Sequence, residues 1–133
     1  MAVPTPSTWS RTSGHKGVTF WNGVWGGAGD FTATAIVDLS TLNYTNMLKI
    51  LSLDVSISKT IKTTFAISAT SNQYVLYLAG GTAENTTIHL DFSDCPDGGI
   101  VKTEAGGDGD FVLTTSGGDT GMYVSIKVNW ECY

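Results

Sequence analysis

The sequence predicts an all-β fold, an antiparallel β-sandwich of about eight strands arranged like a jelly roll. The clearest sign is a strict alternation of apolar with mostly polar residues between Met122 and Trp130. A period of two indicates a strand that buries one of its faces. Glycine-rich turns separate further short apolar runs, and no stretch long enough for a helix has helical periodicity.

The composition fits one folded domain. The chain has 133 residues, of which 16 are glycine and only 14% are charged. A disordered chain would carry more charge and fewer aromatic residues. We divide the chain into an extended N-terminal arm, residues 1–14, and a single β-sandwich domain, residues 15–133. Trp9 is the one possible anchor of this polar arm, and it is expected to pack on the domain or on a neighbouring subunit.

The individual strands follow from apolar alternation and from the Gly, Asn and Ser residues between them. In the third strand, every second residue from Leu51 to Ile57 is expected to face the core. The last two strands are expected to pair as a hairpin across a glycine-rich turn. The predicted strands are 15–22, 30–39, 48–58, 63–69, 73–79, 86–92, 111–115 and 122–130.

Two glycine-rich turns have nearly the same sequence. Gly26–Phe31 and Gly106–Phe111 differ at one position, where Ala28 replaces Asp108. In both, a strand is predicted to begin at an Asp-Phe pair directly after the turn. We therefore interpret the glycines as turn-forming residues with a structural role, and the two phenylalanines as core residues.

The charge balance and the hydropathy exclude some classes of partner. A net charge of −5 with only seven Lys and Arg residues argues against nucleic acid, whose phosphates require clustered cations. No apolar run is long enough for a membrane helix. The N-terminal residues lack the apolar stretch of a secretory signal, so we expect a protein made and kept in a cytosol. On that ground Cys95 and Cys132 are expected to be free thiols.

No catalytic residue, metal ion or cofactor is expected. His89 and Asp91 share the polar face of one strand, which is the ordinary solvated arrangement. Calcium binds carboxylate and carbonyl oxygens, which aspartates in glycine-rich loops can supply. The same residue types are also common in turns that bind no ion. The weak calcium candidates are Asp108, Asp110 and Asp119.

Aromatic residues are the candidate binding residues. Trp9, Trp21 and Trp25 are the predicted contacts to a subunit or a particle. Together with Tyr74 and Tyr77, the last two tryptophans also suggest a flat platform for carbohydrate. In an all-β chain, however, aromatic residues more often lie in the core or in subunit contacts.

Four elements follow one another in the second half of the chain: the strand 74–78, the loop 98–100, the turn and strand 109–115, and the closing strand 123–128. In this succession the chain resembles short virion proteins of tailed phages, especially marine ones, that are assigned as head decoration or similar structural proteins. The resemblance implies a β-sandwich that attaches to a capsid or tail surface and has no enzymatic activity.

On this basis we expect a virion protein that is made in the host cytoplasm and binds capsid or other virion proteins through oligomer and arm contacts. It is expected to form a small homo-oligomer, with a trimer favoured. The alternative is a carbohydrate-binding module or a receptor-binding fibre tip that uses exposed aromatic residues. A small glycan-degrading enzyme is the least favoured class, because the sequence offers no plausible pair of carboxylates held in a groove.

Overall fold

A computed structural model describes residues 7–24, 34–58, 64–70, 73–79, 86–95, 98–103, 111–116 and 122–133. Within these residues the chain forms ten strands, one short 3₁₀ helix, Leu39–Thr41, and no α-helix. The prediction of a chain built from antiparallel strands is confirmed. The strands are β1 (Ser7–Ser13), β2 (Lys16–Val24), β3 (Thr34–Val37), β4 (Met47–Ile57), β5 (Thr64–Thr70), β6 (Gln73–Ala79), β7 (Thr86–Asp91), β8 (Ile100–Thr103), β9 (Phe111–Ser116) and β10 (Tyr123–Cys132).

The described strands form two antiparallel sheets. The larger has the order β1-β2-β10-β4-β7, and β8 also pairs with β4. The smaller has the order β3-β9-β5-β6. The long strand β4 pairs along one edge first with β8, through Met47 to Ile50, and then with β7, through Ser52 to Ile57.

The strand count exceeds the predicted eight because β1 and β8 lie where the alternation predicts no strand. β1 falls inside the expected arm, residues 1–14, yet it pairs with β2 over its whole length. It is therefore a strand at the edge of the larger sheet. The two strands are joined at Gly14 and His15, and Gly14 has a φ of 61°, the left-handed conformation that tight hairpins require.

β10 occupies the centre of the larger sheet, and its predicted alternation is confirmed. Met122, Val124, Ile126, Val128 and Trp130 are all buried, while the residues between them are exposed or half-buried. The predicted hairpin with β9 is wrong, since β9 pairs with β3 and β5 in the smaller sheet. Six residues separate the two strands, and a connection longer than a tight turn does not force neighbouring strands to pair.

The alternation predicted for β4 is correct only from Leu53 onward. The register between β4 and β10 shifts between Ser52 and Ile50, which leaves Leu51 as an extra residue. Such a bulge moves the following side chains to the opposite face. Leu48 and Ile50 are therefore buried before the bulge, and Leu51 is only half-buried.

A bulge-like irregularity also changes the core face of β3. Its register with β9 shifts between Ala35 and Val37. Ile36 and Val37 are consequently both buried, although strict alternation predicts only one of them in the core. Residues 30–33, which the sequence assigns to the same strand, lie outside the described residues.

The core draws side chains from both sheets. Buried residues of the larger sheet, such as Trp21 and Leu53, form one cluster with Ile36 of β3 and Ile67 of β5. Burial of apolar area in this cluster is the main favourable contribution to folding.

The ring of Trp130 packs along the inner face of β2. Trp130 lies opposite Gly17 in the register, and a Cβ added at Gly17 would fall 2.2 Å from Cζ2 of that ring. The indole Nε1 donates a hydrogen bond of 3.0 Å to Oγ1 of Thr19, which is itself buried. Thr19 Oγ1 also lies 2.8 Å from Oγ of Ser10, so β1, β2 and β10 are linked by one short polar chain.

Candidate functional site

The predicted tryptophan contacts differ in where they lie. Trp21 is 0% exposed and belongs to the core cluster. It therefore presents no face to a glycan or to a particle, because its place on the inner side of β2 puts the indole against other core residues. Trp9 lies in β1 opposite Phe20, with its side chain outside the described residues. Trp25 also lies outside the described residues.

Most of the remaining candidates fall in undescribed segments. The calcium candidates Asp108, Asp110 and Asp119 and the core candidate Phe31 all lie outside the described residues. Phe111 begins β9 opposite Val37. Among the described residues, no group of three His, Cys, Asp or Glu side chains could hold a metal ion. Cys132 is buried, Cys95 is half-buried, and both are free thiols.

The outer face of the larger sheet carries rows of side chains that cross neighbouring strands. One row contains, from β2 to β7, Phe20, Lys127, Asp54 and His89. His89 Nδ1 is hydrogen-bonded to Asp54 Oδ1, and both side chains are solvent-accessible. The ammonium of Lys127 lies 6.0 Å from the centre of the Phe20 ring. We interpret the His89–Asp54 pair as a cross-strand surface contact, because an exposed pair gains little from its charges.

Asp91, at the end of the same strand β7, is held as a carboxylate. Its Oδ1 accepts a hydrogen bond of 2.9 Å from the backbone N–H of Ser93. This bond, followed by one to the Ser93 side chain, lowers the pKa of Asp91 below its ordinary value of 3.8. Because the pKa is lower in the folded state, the interaction stabilises the fold above the ordinary pKa. The stabilisation is lost as the pH falls through the lowered value.

We expect the Asp91 carboxyl to titrate below 3.8 when its carbon signal is followed by NMR. In Ser93→Ala, which keeps the backbone donor and removes the hydroxyl, the midpoint is expected to rise only part of the way. An Asp91 midpoint at or above the ordinary value in the native chain would contradict this assignment.

An exposed stack of three rings lies at the end of the sheet that contains the β1–β2 turn. We call His15, Tyr44 and Tyr133 the aromatic stack. The ring centres of His15 and Tyr44 are 4.0 Å apart with an interplanar angle of 16°, and those of His15 and Tyr133 are 5.1 Å apart. Tyr44 is 42% exposed and Tyr133 is 39% exposed. The Lys49 ammonium lies 5.7 Å from the centre of the Tyr133 ring.

Backbone hydrogen bonds hold the aromatic stack in place. His15 Nδ1 lies 2.8 Å from the carbonyl oxygen of Cys132, and the Cys132 N–H donates a bond of 2.7 Å to the His15 carbonyl. Tyr133 and Met47 exchange two bonds of 2.9 Å, N–H to carbonyl in both directions. His15 and Tyr133 are thus held at the β1–β2 turn and after the end of β10, and Tyr44 contacts this pair by stacking on His15.

Charged groups border the aromatic stack on one side. The Tyr133 hydroxyl donates a hydrogen bond to Glu131, and Lys16 lies 3.8 Å from the same carboxylate. The bond to Glu131 raises the pKa of the Tyr133 phenol, because the bond exists only while the phenol keeps its proton. Tyrosine rings are enriched in protein-contact surfaces.

Sequence patterns do not reveal the aromatic stack or the His89–Asp54 pair. Both depend on register between strands that are far apart along the chain, and period-two alternation shows only which face a residue occupies. The exposure of His89 and Asp91 was predicted and is confirmed.

No protein-family model matches the sequence, and no curated protein matches it significantly. Within the described residues, no helix is long and apolar enough to cross a membrane.

Proposed function

We propose that this chain is a non-enzymatic virion structural protein of a tailed phage, a decoration or cement protein that binds the particle surface as a small homo-oligomer, with a trimer favoured. It is made in the host cytoplasm and resides in the virion. Its partners are capsid or other virion proteins.

The observation that carries the proposal is the aromatic stack. Tyr44 and Tyr133 offer large flat surfaces whose positions are already fixed by stacking on His15. Tyrosines of this kind contribute much of the binding energy in protein interfaces, because little conformational entropy is lost when they are buried. Repetition of a modest contact in every subunit of an oligomer then strengthens attachment by multivalency.

The strand order supports the finer fold that belongs to this proposal, a jelly-roll sandwich. When β1 and β8 are left out, the strand orders of the two sheets are β2-β10-β4-β7 and β3-β9-β5-β6. Four strands in each sheet, with the chain passing repeatedly between the sheets, is the arrangement of two Greek keys in a jelly roll. The single core cluster contains side chains from both sheets, as expected for two sheets that pack face to face. Viral capsid proteins often use this fold, although the fold alone does not decide a function.

Three elements of the resemblance to phage decoration proteins correspond to observed strands. The segments 74–78, 111–115 and 123–128 lie in β6, β9 and β10. This agreement supports the element succession on which the proposal draws.

The decisive experiment measures binding of the purified chain to phage heads assembled without it. We expect the native chain to co-sediment with the heads and Tyr44→Ala to bind about tenfold or more weakly, through loss of the contact surface. The matched control is Tyr77→Ala, which removes a tyrosine that is also half-exposed but lies on β6 of the smaller sheet. Native mass spectrometry is expected to show a trimer.

Two outcomes would contradict the proposal at different points. A native chain that binds no heads would overturn the virion role. Equal binding by Tyr44→Ala and the native chain would leave that role intact but remove the aromatic stack as its contact.

A further inference from the structure

A shallow depression lies on the larger sheet at the end where β10 begins, separate from the aromatic stack. Its volume is about 310 Å³, near the lower limit for small-ligand sites. The residues that define it come from four adjacent strands and from the residue that follows β4: Asn22, Gly23, Ser56, Ile57, Ser58, Thr87, Tyr123, Val124 and Ser125.

The lining of this depression is uncharged and largely apolar, and a row of polar side chains crosses it. Asn22, Ser125, Ser56 and Thr87 follow one another in register across β2, β10, β4 and β7. We call these four residues the hydroxyl row. Neighbouring strands are about 4.8 Å apart, so the row presents a polar group at each such interval. None of the described residues that line the depression carries a formal charge.

Existing contacts arrange the hydroxyl row without exhausting its capacity for hydrogen bonds. The hydroxyl of Ser125 donates to Oδ1 of Asn22 at 2.9 Å, and Oγ of Ser56 lies 3.5 Å from Oγ1 of Thr87. The Asn22 amide has two N–H donors besides this acceptor, and each hydroxyl can accept as well as donate. A ligand that offers both donors and acceptors would therefore be complementary to the row.

Tyr123 supplies an aromatic surface beside the row. Its side chain is 61% exposed, the highest value among the large apolar side chains that the structure describes as exposed. Two hydrogen bonds with Ser58 hold the backbone of Tyr123. The Tyr123 N–H donates to Oγ of Ser58 at 2.8 Å, and the Ser58 N–H donates to the Tyr123 carbonyl at 3.0 Å. The ring thus stands on rigid backbone at the edge of the depression.

We propose that this depression binds a neutral saccharide. A sugar ring has an apolar C–H face that packs against an aromatic ring, and hydroxyl groups around its rim that both donate and accept. Tyr123 matches the first property, and the hydroxyl row matches the second. The uncharged lining and the net charge of −5 disfavour an anionic ligand. This site differs from the platform of Trp21 and Trp25 that the sequence suggests.

The test is saturation-transfer NMR and calorimetry on the full chain, with a panel of neutral probes. Glucose, galactose, mannose, N-acetylglucosamine and their short oligomers are suitable, with sialic acid as the anionic comparison. We expect a neutral probe to bind in the millimolar to micromolar range, and affinity to stay constant between about 50 mM and about 500 mM salt, because no charges are paired.

Two variants locate the site. Tyr123→Ser is expected to weaken binding about tenfold or more, as is Asn22→Ala, which removes the amide of the hydroxyl row. Tyr77→Ser is the matched control and is expected to bind like the native chain. Circular dichroism on each variant verifies the fold, and the exposure of Tyr123 and Asn22 makes folding of both variants the expected result.

The proposal is overturned by either of two results. One is that no neutral saccharide in the panel binds, or that only sialic acid binds in a salt-dependent manner. The other is that Tyr123→Ser and Asn22→Ala bind as tightly as Tyr77→Ser. Neither result bears on attachment to phage heads, since that experiment uses the aromatic stack.

Discussion

Gly17→Ala is expected to lower the free energy of unfolding by about 3 kcal/mol, near the upper end of the usual cost of overpacking a core. The added methyl group would lie 2.2 Å from Cζ2 and 2.4 Å from Cη2 of Trp130. This ring is fully buried and hydrogen-bonded to Thr19, so it can move away only by disturbing the core and losing that bond. Denaturation in urea measures the effect.

Two further variants separate this clash from the general cost of replacing a glycine. In Gly14→Ala the added Cβ has no atom within 4 Å. The free energy of unfolding should therefore fall only because of the positive φ, by about 1 kcal/mol. A smaller ring in Trp130→Phe should make Gly17→Ala less costly than it is in the native chain, which a double-mutant cycle detects. Equal costs for Gly17→Ala and Gly14→Ala would show that the Trp130 ring does not limit this position.

Trp21→Ala is expected to lower the free energy of unfolding by about 3 to 5 kcal/mol, the usual cost of removing a fully buried large aromatic side chain. Trp21 is one of the two largest completely buried side chains among the described residues. A loss of this size is a large fraction of the stability of a typical domain, so the variant should be partly unfolded at moderate temperature. Thermal denaturation followed by circular dichroism measures it.

This variant also decides between the two interpretations of Trp21. A residue that contacts a particle or a glycan would affect binding and leave the fold stable. A core residue would affect stability, and any binding that survives in the folded fraction would be unchanged. Trp21→Ala with native stability and lost binding would contradict its assignment to the core.

That the chain is built from antiparallel strands was predictable, because burial of one face leaves a direct pattern in the sequence. The predicted closing strand, residues 122–130, is the best case, since all five of its predicted core residues are buried. β6 was placed with its observed bounds, Gln73–Ala79. Alternation fails at a bulge, as at Leu51, because one extra residue reverses the face without changing the composition.

Pairing between strands was less predictable than the strands themselves. The assignment of β9 and β10 to one hairpin used their proximity in sequence, which is only a tendency. β1 was missed because the polar sequence STWSRTS lacks a continuous apolar face. Its position depends instead on backbone hydrogen bonds to β2, and these bonds do not require particular side chains.

The candidate sites were the least predictable part of the molecule. The aromatic stack combines a turn residue, a loop residue and a residue after β10, and the depression combines four strands. Neither set has a spacing that sequence patterns detect, because the spacing is set by register across the sheet. Trp9 is predicted as a contact because it is the one possible anchor of the arm, and Trp21 and Trp25 because an aromatic ring offers a flat face. A large aromatic ring is equally suited to the core, as Trp21 shows.

The position of β10 has a consequence for how the chain folds. This strand lies between β2 and β4, yet it follows every other described strand along the chain. While the ribosome is still synthesising the preceding residues, β2 and β4 lack their shared partner. The central hydrogen bonds of the sheet therefore form late, and such long-range pairing makes folding slow. Until then the open edges of β2 and β4 are where we expect a chaperone to bind the nascent chain.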